Sequence, residues 1–218
     1  SWLIAPLIAG FVSNKYGFKS VFLLAAFFIF LSFILLKNFK VNDNRVEKRI
    51  DKNMLKVAVE YLGNKERFLS YVISGGINFW WALIYIYIPI YIVESGLSNI
   101  ALGLFLFSIV VPLVFLEYHF GKIATKVGFK KVFFIGYLIL ALVALISFFI
   151  GNIFFMLGFL VLGSVGAAML EPTTEAYFFD IINKKQRDRF YSLYNTTIDI
   201  NHATAAFFGA IVIFFLPF

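Results

Sequence analysis

The sequence has no cysteine and only 2 histidines. The first absence excludes a disulfide framework and thiolate metal sites, and the second leaves no histidine-rich motif from which to build a metal centre. Charge is scarce too. Charged residues make up 14% of the chain against 61% hydrophobic and 20% aromatic, with a mean hydropathy of +0.90. That lies far outside the composition of a soluble domain. No phosphate-cradling loop, catalytic triad or zincin motif occurs, so the chain is not expected to be an enzyme. A formal net charge of +7 would suit nucleic acid, but the basic residues sit in short tracts between apolar runs, where membrane topology accounts for them. No nucleic-acid partner, cofactor or metal is expected.

What the chain does have is length of apolar run. Residues 68–93, 97–116, 132–150 and 153–170 each approach or exceed the roughly 20 residues that cross about 30 Å of hydrocarbon. Lipid leaves unpaired backbone groups without partners, and the residues do not alternate as barrel strands would, so these are helices. The fold class is therefore all-α, a polytopic membrane helical bundle. Spans are expected over about 18–36, 68–93, 97–120, 132–150 and 153–179, with a last helix from about Tyr191. A partial helix should end near Val12, before a turn holding Asn14, Lys15 and Gly17. Both ends read as cut. Residues 2–12 are about half a span with no leader pattern, and 203–218 stop on apolar residues without flanking charge.

The one long polar segment is 37–67. In it Val46, Ile50, Met54, Val57, Ala58, Tyr61 and Leu62 recur at three- and four-residue spacing, with Arg45, Lys48, Arg49, Lys52 and Lys56 largely on other faces. That pattern predicts a basic amphipathic helix along the membrane surface; a plain solvated linker is the alternative. The segment holds nine basic residues. Four more (Lys122, Lys126, Lys130, Lys131) separate two later spans, and Lys184, Lys185, Arg187 and Arg189 follow Asp180. The turns at 94–99 and 151–152 hold none, leaving only Lys15 and Lys19 on the other side. This alternation makes the basic side cytoplasmic.

Gly121-x-x-x-Thr125-Lys126-x-Gly128-x-Lys130-Lys131 resembles the signature loop of the major facilitator superfamily, which joins the second and third helices and recurs between the eighth and ninth. Thr125 stands where the family pattern has an acid. Residues 37–67 resemble the central cytoplasmic loop between two six-helix halves, and two spans then precede Gly121, which makes it the later copy. Residues 5–10 with 17–22 resemble the fifth helix and its outward turn. Glu171-Pro172-x-x-Glu175-Ala176, then Asp180, Arg187 and Tyr194-Asn195-Thr196, resemble the end of the tenth helix and the start of the eleventh. An alternative register takes Gly10 to Lys19 as the first copy, with Asn14 in the acid position, at the cost of an unusual insertion and a broken charge alternation. A weak echo between 5–10 and 205–210 fits a fold built from repeats.

The resemblance implies a major facilitator-like bundle truncated at both ends. Residues 1–36 would close the N-terminal half, 37–67 form the central cytoplasmic loop, and 68–218 supply helices seven to ten and most of eleven. It implies secondary transport of a small organic solute by alternating access, with proton coupling and efflux favoured over uptake by the aromatic seventh helix and Glu171. The rival is a non-transporting membrane scaffold or receptor that retains the fold. The complete protein is expected as a monomer in the plasma (inner) membrane, its partners the lipid bilayer, a small-molecule solute and protons.

Ser74, Asn78, Trp81 and Tyr85 fall at i, i+4, i+7 and i+11, on one helix face. An amide and two aromatics with polar tips suit an organic substrate; alternatively Asn78 bonds a neighbouring helix and the rings pack. Glu171 and Glu175 lie one turn apart with Thr174 beside them. An ionised carboxylate at mid-membrane costs about 3 kcal/mol on insertion scales, so Glu171 is read either as a proton or cation site or as a structural tie. The substrate-binding candidates are Asn78, Trp81, Tyr85, Glu171 and Thr174. For gating, Gly121 should let helices approach closely and Gly128 permit a positive backbone angle. Lys122, Lys126, Lys130 and Lys131 would meet anionic headgroups, or form a latch with Glu175 and Asp180, with Arg187 in the same set. Thr125 weakens that latch, since a hydroxyl caps a helix but carries no charge; the alternative is a positive-inside turn and nothing more. Glu117 and His119 read as interfacial polar residues, with a proton relay as the alternative, and Asp199 and His202 as a partially exposed helix start, with proton coupling as the alternative. Gly158, Gly163, Gly166, Ala167 and Ala168 form a small-residue surface for close packing.

Overall fold

The computed structural model describes residues 3–39 and 53–215. These form helices α1 (Ala5–Tyr16), α2 (Phe18–Asn38), α3 (Met54–Leu62), α4 (Lys65–Glu94), α5 (Asn99–Val127), α6 (Phe129–Phe149), α7 (Ile153–Ile181) and α8 (Arg187–Phe215). A short 3₁₀ turn, Lys184–Gln186, leads into α8, and no strand occurs among the described residues. Six helices are long and apolar enough to cross a membrane. Several begin at side-chain caps that satisfy otherwise orphaned amides: Asn64 accepts from Glu66 and Arg67, Ser98 from Ala101, and Asn152 from Phe154 and Phe155.

The helices run further than expected. Asn14 and Lys15 belong to the last turn of α1, residues 121–127 are the last two turns of α5, and α8 starts at Arg187 rather than Tyr191. What ends α1 and α5 is a single residue in each case, Gly17 (φ 81°, ψ 167°) and Gly128 (φ 88°, ψ 147°). That region of backbone space is essentially closed to residues with a Cβ. Both glycine amides return to a carbonyl four residues back, Ser13 and Ala124, at 2.9 Å. The two turns also share sequence, Lys15-x-Gly17-Phe18-Lys19 against Lys126-x-Gly128-Phe129-Lys130.

α7 is the centre of the bundle, packed chiefly on α6 and α5 and also on α4, while α4 pairs with α8. Glycines set the closest approaches. A Cβ on Gly166 would stand 2.8 Å from the Gly136 carbonyl oxygen, and one on Gly136 would stand 2.8 Å from Leu170 Cγ. Gly163 meets Val143 and Trp80, and Ala167 and Ala168 are fully buried, but Gly158 is exposed with nothing near it. The small-residue surface of α7 therefore excludes Gly158.

α1 joins the bundle through α5. A Cβ on Gly10 would meet the Asn99 carbonyl oxygen at 2.7 Å and Gly103 Cα at 3.0 Å, while one on Gly103 would meet the Pro6 carbonyl oxygen at 2.7 Å. Higher numbers on α1 thus meet lower numbers on α5, so the two run antiparallel. The Gly17 turn consequently lies at the opposite end of the bundle from the Gly128 turn. α2 has no buried residue.

Part of the apolar face expected to meet a membrane surface is buried in protein instead. Val57 and Tyr61 of α3 pack with Phe178 and Ile182 of the α7 end, and with Phe190 and Tyr194 of α8. Met54, Leu55 and Val59 stay exposed, and Val46 and Ile50 lie outside the described residues. Glu60 accepts both guanidinium nitrogens of Arg189, at 3.2 and 2.7 Å. Tyr61 is fully buried, its ring within 5.4 Å of that of Phe190. Burial pushes its hydroxyl pKa well up, so it stays neutral. Tyr61→Ala should cost about 3–5 kcal/mol of local packing and release α3. Limited proteolysis is expected to cut near residue 63 much faster in the variant; an unchanged cleavage rate would mean that Tyr61 does not anchor the helix.

Candidate functional site

A polar cleft of about 160 Å³ opens between α4, α7 and α8. Its walls carry Ser74 and Asn78 from α4, Glu171, Thr174 and Glu175 from α7, and Tyr191, Tyr194, Asn195 and Thr197 from α8. Helical geometry explains the convergence. Ser74 and Asn78 are one turn apart, as are Glu171 and Glu175, and Tyr191, Tyr194, Asn195 and Ile198 follow the three-four rule on α8.

The α4–α8 wall is sewn by hydroxyls and amides. Asn78 donates to the Ser74 carbonyl oxygen at 2.9 Å and reaches Thr197 Oγ1 at 3.4 Å. Ser74 and Thr197 hydroxyls lie 3.4 Å apart, and Tyr71 and Thr196 hydroxyls 2.8 Å apart. The α7 wall is held by aromatic donors. Trp81 Nε1 donates to Glu171 Oε2 at 3.0 Å, and the Tyr191 hydroxyl donates to Glu175 Oε1 at 2.8 Å. Tyr85 stacks on Trp81 at 5.5 Å, and Tyr194 stacks on Phe178 at 4.3 Å. Pro172 has no amide to give its helix, and the neighbouring Thr173 and Thr174 hydroxyls bond back to carbonyls of the preceding turn.

Asn78, Glu171 and Thr174 therefore share one cleft with Glu175. Trp81 is buried behind Glu171, and Tyr85 stands beyond Trp81, outside the cleft lining. Sequence reasoning did not assign the α8 wall. Tyr194 and Asn195 served there only to place the chain in register, although their spacing with Tyr191 on a comparatively polar helix was visible.

A family model described as Major Facilitator Superfamily matches residues 111–218, the stretch that runs from mid-α5 through α6, α7 and α8. Residues 111–218 belong to the Major Facilitator Superfamily. Over 217 residues the chain is 23% identical to an uncharacterized MFS-type transporter of Methanocaldococcus jannaschii, an alignment that takes in 98% of this chain and 55% of that protein. The chain thus spans about half the length of the curated relative it matches. No solved structure matches it. Family membership and the six apolar helices make it an integral membrane protein.

The tract that resembles the Major Facilitator Superfamily signature forms the end of α5, the Gly128 turn and the start of α6. Gly128 has the positive angle expected of it. Gly121 does not bring helices together: a Cβ there would meet nothing within 4 Å, because its side of α5 borders an open groove with Glu117, Lys122, Thr125 and Pro172. Thr125 caps no helix; its hydroxyl donates to the Lys122 carbonyl oxygen at 2.8 Å. Lys122, Lys126, Lys130, Lys131 and Asp180 are exposed. At this end Arg189 pairs with Glu60 at 2.7 Å. Arg187 donates to the Phe179 carbonyl oxygen at 2.7 Å. His119, Asp199 and His202 are exposed, while Glu117 is half-buried beside the groove.

Proposed function

We propose that this protein is part of a secondary transporter that moves a small organic solute by alternating access, with the α4–α7–α8 cleft as its share of the translocation site. The observation that carries this reading is Glu171. A carboxylate within a membrane-crossing helix costs free energy unless it serves a cavity or a partner, and here it borders a polar cleft where the helix backbone contains Pro172. Family membership adds the expectation of transport, since such folds place substrate sites between their repeats.

In this reading α1 and α2 close one half of the transporter, 37–67 is the cytoplasmic connector, and α4 to α8 belong to the other half. The antiparallel seating of α1 on α5 supports that arrangement, because it sets the Gly17 and Gly128 turns at opposite ends. Glu171 takes up and releases the coupling proton, and Trp81 holds its carboxylate in place. The lysines around Gly128 and the carboxylates Glu175 and Asp180 approach one another only in the state where the cytoplasmic gate closes.

The complete protein, reconstituted in proteoliposomes under an imposed pH gradient, is expected to carry at least one small organic solute at a rate that collapses with the gradient. A monodisperse, folded protein that moves no solute from a broad panel would sink the transport reading in favour of a scaffold or receptor.

A further inference from the structure

We infer that the solute taken by this cleft is a small organic cation, a protonated amine bearing a short alkyl or single-ring body. The inference rests on the cleft being the proposed transport site.

The charge balance of the cleft is one-sided. Glu171 and Glu175 both line it, and no lysine, arginine or histidine is among its described lining residues. Each carboxylate has one oxygen engaged by a neutral donor, the Trp81 indole or the Tyr191 hydroxyl, and neither forms an ion pair among the described residues. The nearby guanidinium groups are directed elsewhere: Arg189 to Glu60, Arg187 to the Phe179 carbonyl oxygen and Arg67 to Gln186 at 3.3 Å. Two acids one helical turn apart on the wall of one cleft repel each other, so a cation seated between them relieves a cost that a neutral solute would leave in place. An anion would add to it.

The rest of the lining suits the same class. Tyr191 and Tyr194 line the cleft from α8 with their rings stacked on Phe179 and Phe178, and a phenol oxygen can accept from a cation. Asn78, Asn195, Ser74 and Thr197 supply short-range acceptors for ammonium protons. Size sets the body of the ligand. The cleft's room of about 160 Å³ is close to the cavity of about 150 Å³ that accommodates benzene in another protein.

Equilibrium dialysis of the complete protein against benzylamine, benzyl alcohol and benzoate compares one shape in three charge states and does not depend on flux. Benzylamine is expected to bind at least tenfold more tightly than either of the others. Glu171→Gln and Glu175→Gln should each weaken it tenfold or more, and Tyr194→Leu severalfold. Equal binding of benzyl alcohol or benzoate, unchanged binding in both glutamine variants, or no binding of any of the three would overturn the inference. If Glu171→Gln fails to fold, Glu175→Gln decides, because its side chain is exposed. Benzylamine binding without flux of any solute leaves the inference standing and removes the transport reading; flux of a neutral or anionic solute with no benzylamine binding does the reverse.

Discussion

Glu171→Gln is expected to lower pH-gradient-driven flux at least a hundredfold in proteoliposomes while leaving the amount of folded protein unchanged. The amide keeps the carboxylate's shape and still offers an oxygen to Trp81 Nε1, which lies 3.0 Å from Glu171 Oε2 in the wild-type site. What it loses is the ability to bind and release a proton, so the effect falls on coupling and not on packing. Removing an ionisable group from a membrane-crossing helix does not raise the cost of insertion, which argues against a folding defect. Flux and pH dependence identical to wild type would take Glu171 out of the mechanism. A companion measurement is the fluorescence of Trp81 in a background without Trp2 and Trp80: its emission should respond to pH in the wild type and lose that response in the variant.

The second large effect is structural. Gly166→Val should prevent accumulation of folded protein, because a Cβ at that position meets the Gly136 carbonyl oxygen at 2.8 Å and Ile139 Cγ2 at 3.0 Å. A backbone oxygen cannot turn aside as a side chain can. α6 and α7 must therefore separate, and overpacking of this kind costs about 1–3 kcal/mol or more. α7 is the helix on which α4, α5 and α6 all pack, and it carries both acids of the cleft. Gly158→Val on the same helix is the control, since nothing lies within 4 Å of its Cβ position. Monodisperse yield and thermal stability after detergent extraction should fall sharply for the first variant and stay within error for the second. Equal yields would mean that close packing of α6 on α7 does not limit folding.

These expectations draw unequally on the sequence. The spans were legible because about 20 apolar residues cross a bilayer in one way only, as a helix with its own hydrogen bonds satisfied. The exact ends were not, and the same physics explains the misplacement: Asn14, Lys15 and residues 121–127 are polar or mixed, yet a polar residue does not end a helix. The breaks came at Gly17 and Gly128, whose backbone angles exclude any side chain. Gly121 could not be told from Gly136 or Gly10 by composition. Whether a glycine permits a close approach depends on which helix lies opposite, and that is a fact of packing.

The site divides in the same way. Helical periodicity put Ser74 with Asn78 and Glu171 with Glu175, because residues on one helix keep fixed angular relations. It could not show that Trp81 turns its indole to Glu171, that Tyr191 occupies Glu175, or that α8 completes the wall.

By itself, then, the sequence determined an all-helical membrane protein, the approximate spans, the alternation of basic turns and the presence of two acids one turn apart on an otherwise apolar helix. Only the tertiary structure decided which glycines are contacts, that α3 is seated on the bundle through Tyr61, and that the two acids open on one cleft with tyrosines but no basic side chain among its described walls. The physical reason is range: spans and faces follow from local geometry along one chain segment, whereas a cleft and its charge balance arise from residues brought together across roughly a hundred positions of sequence.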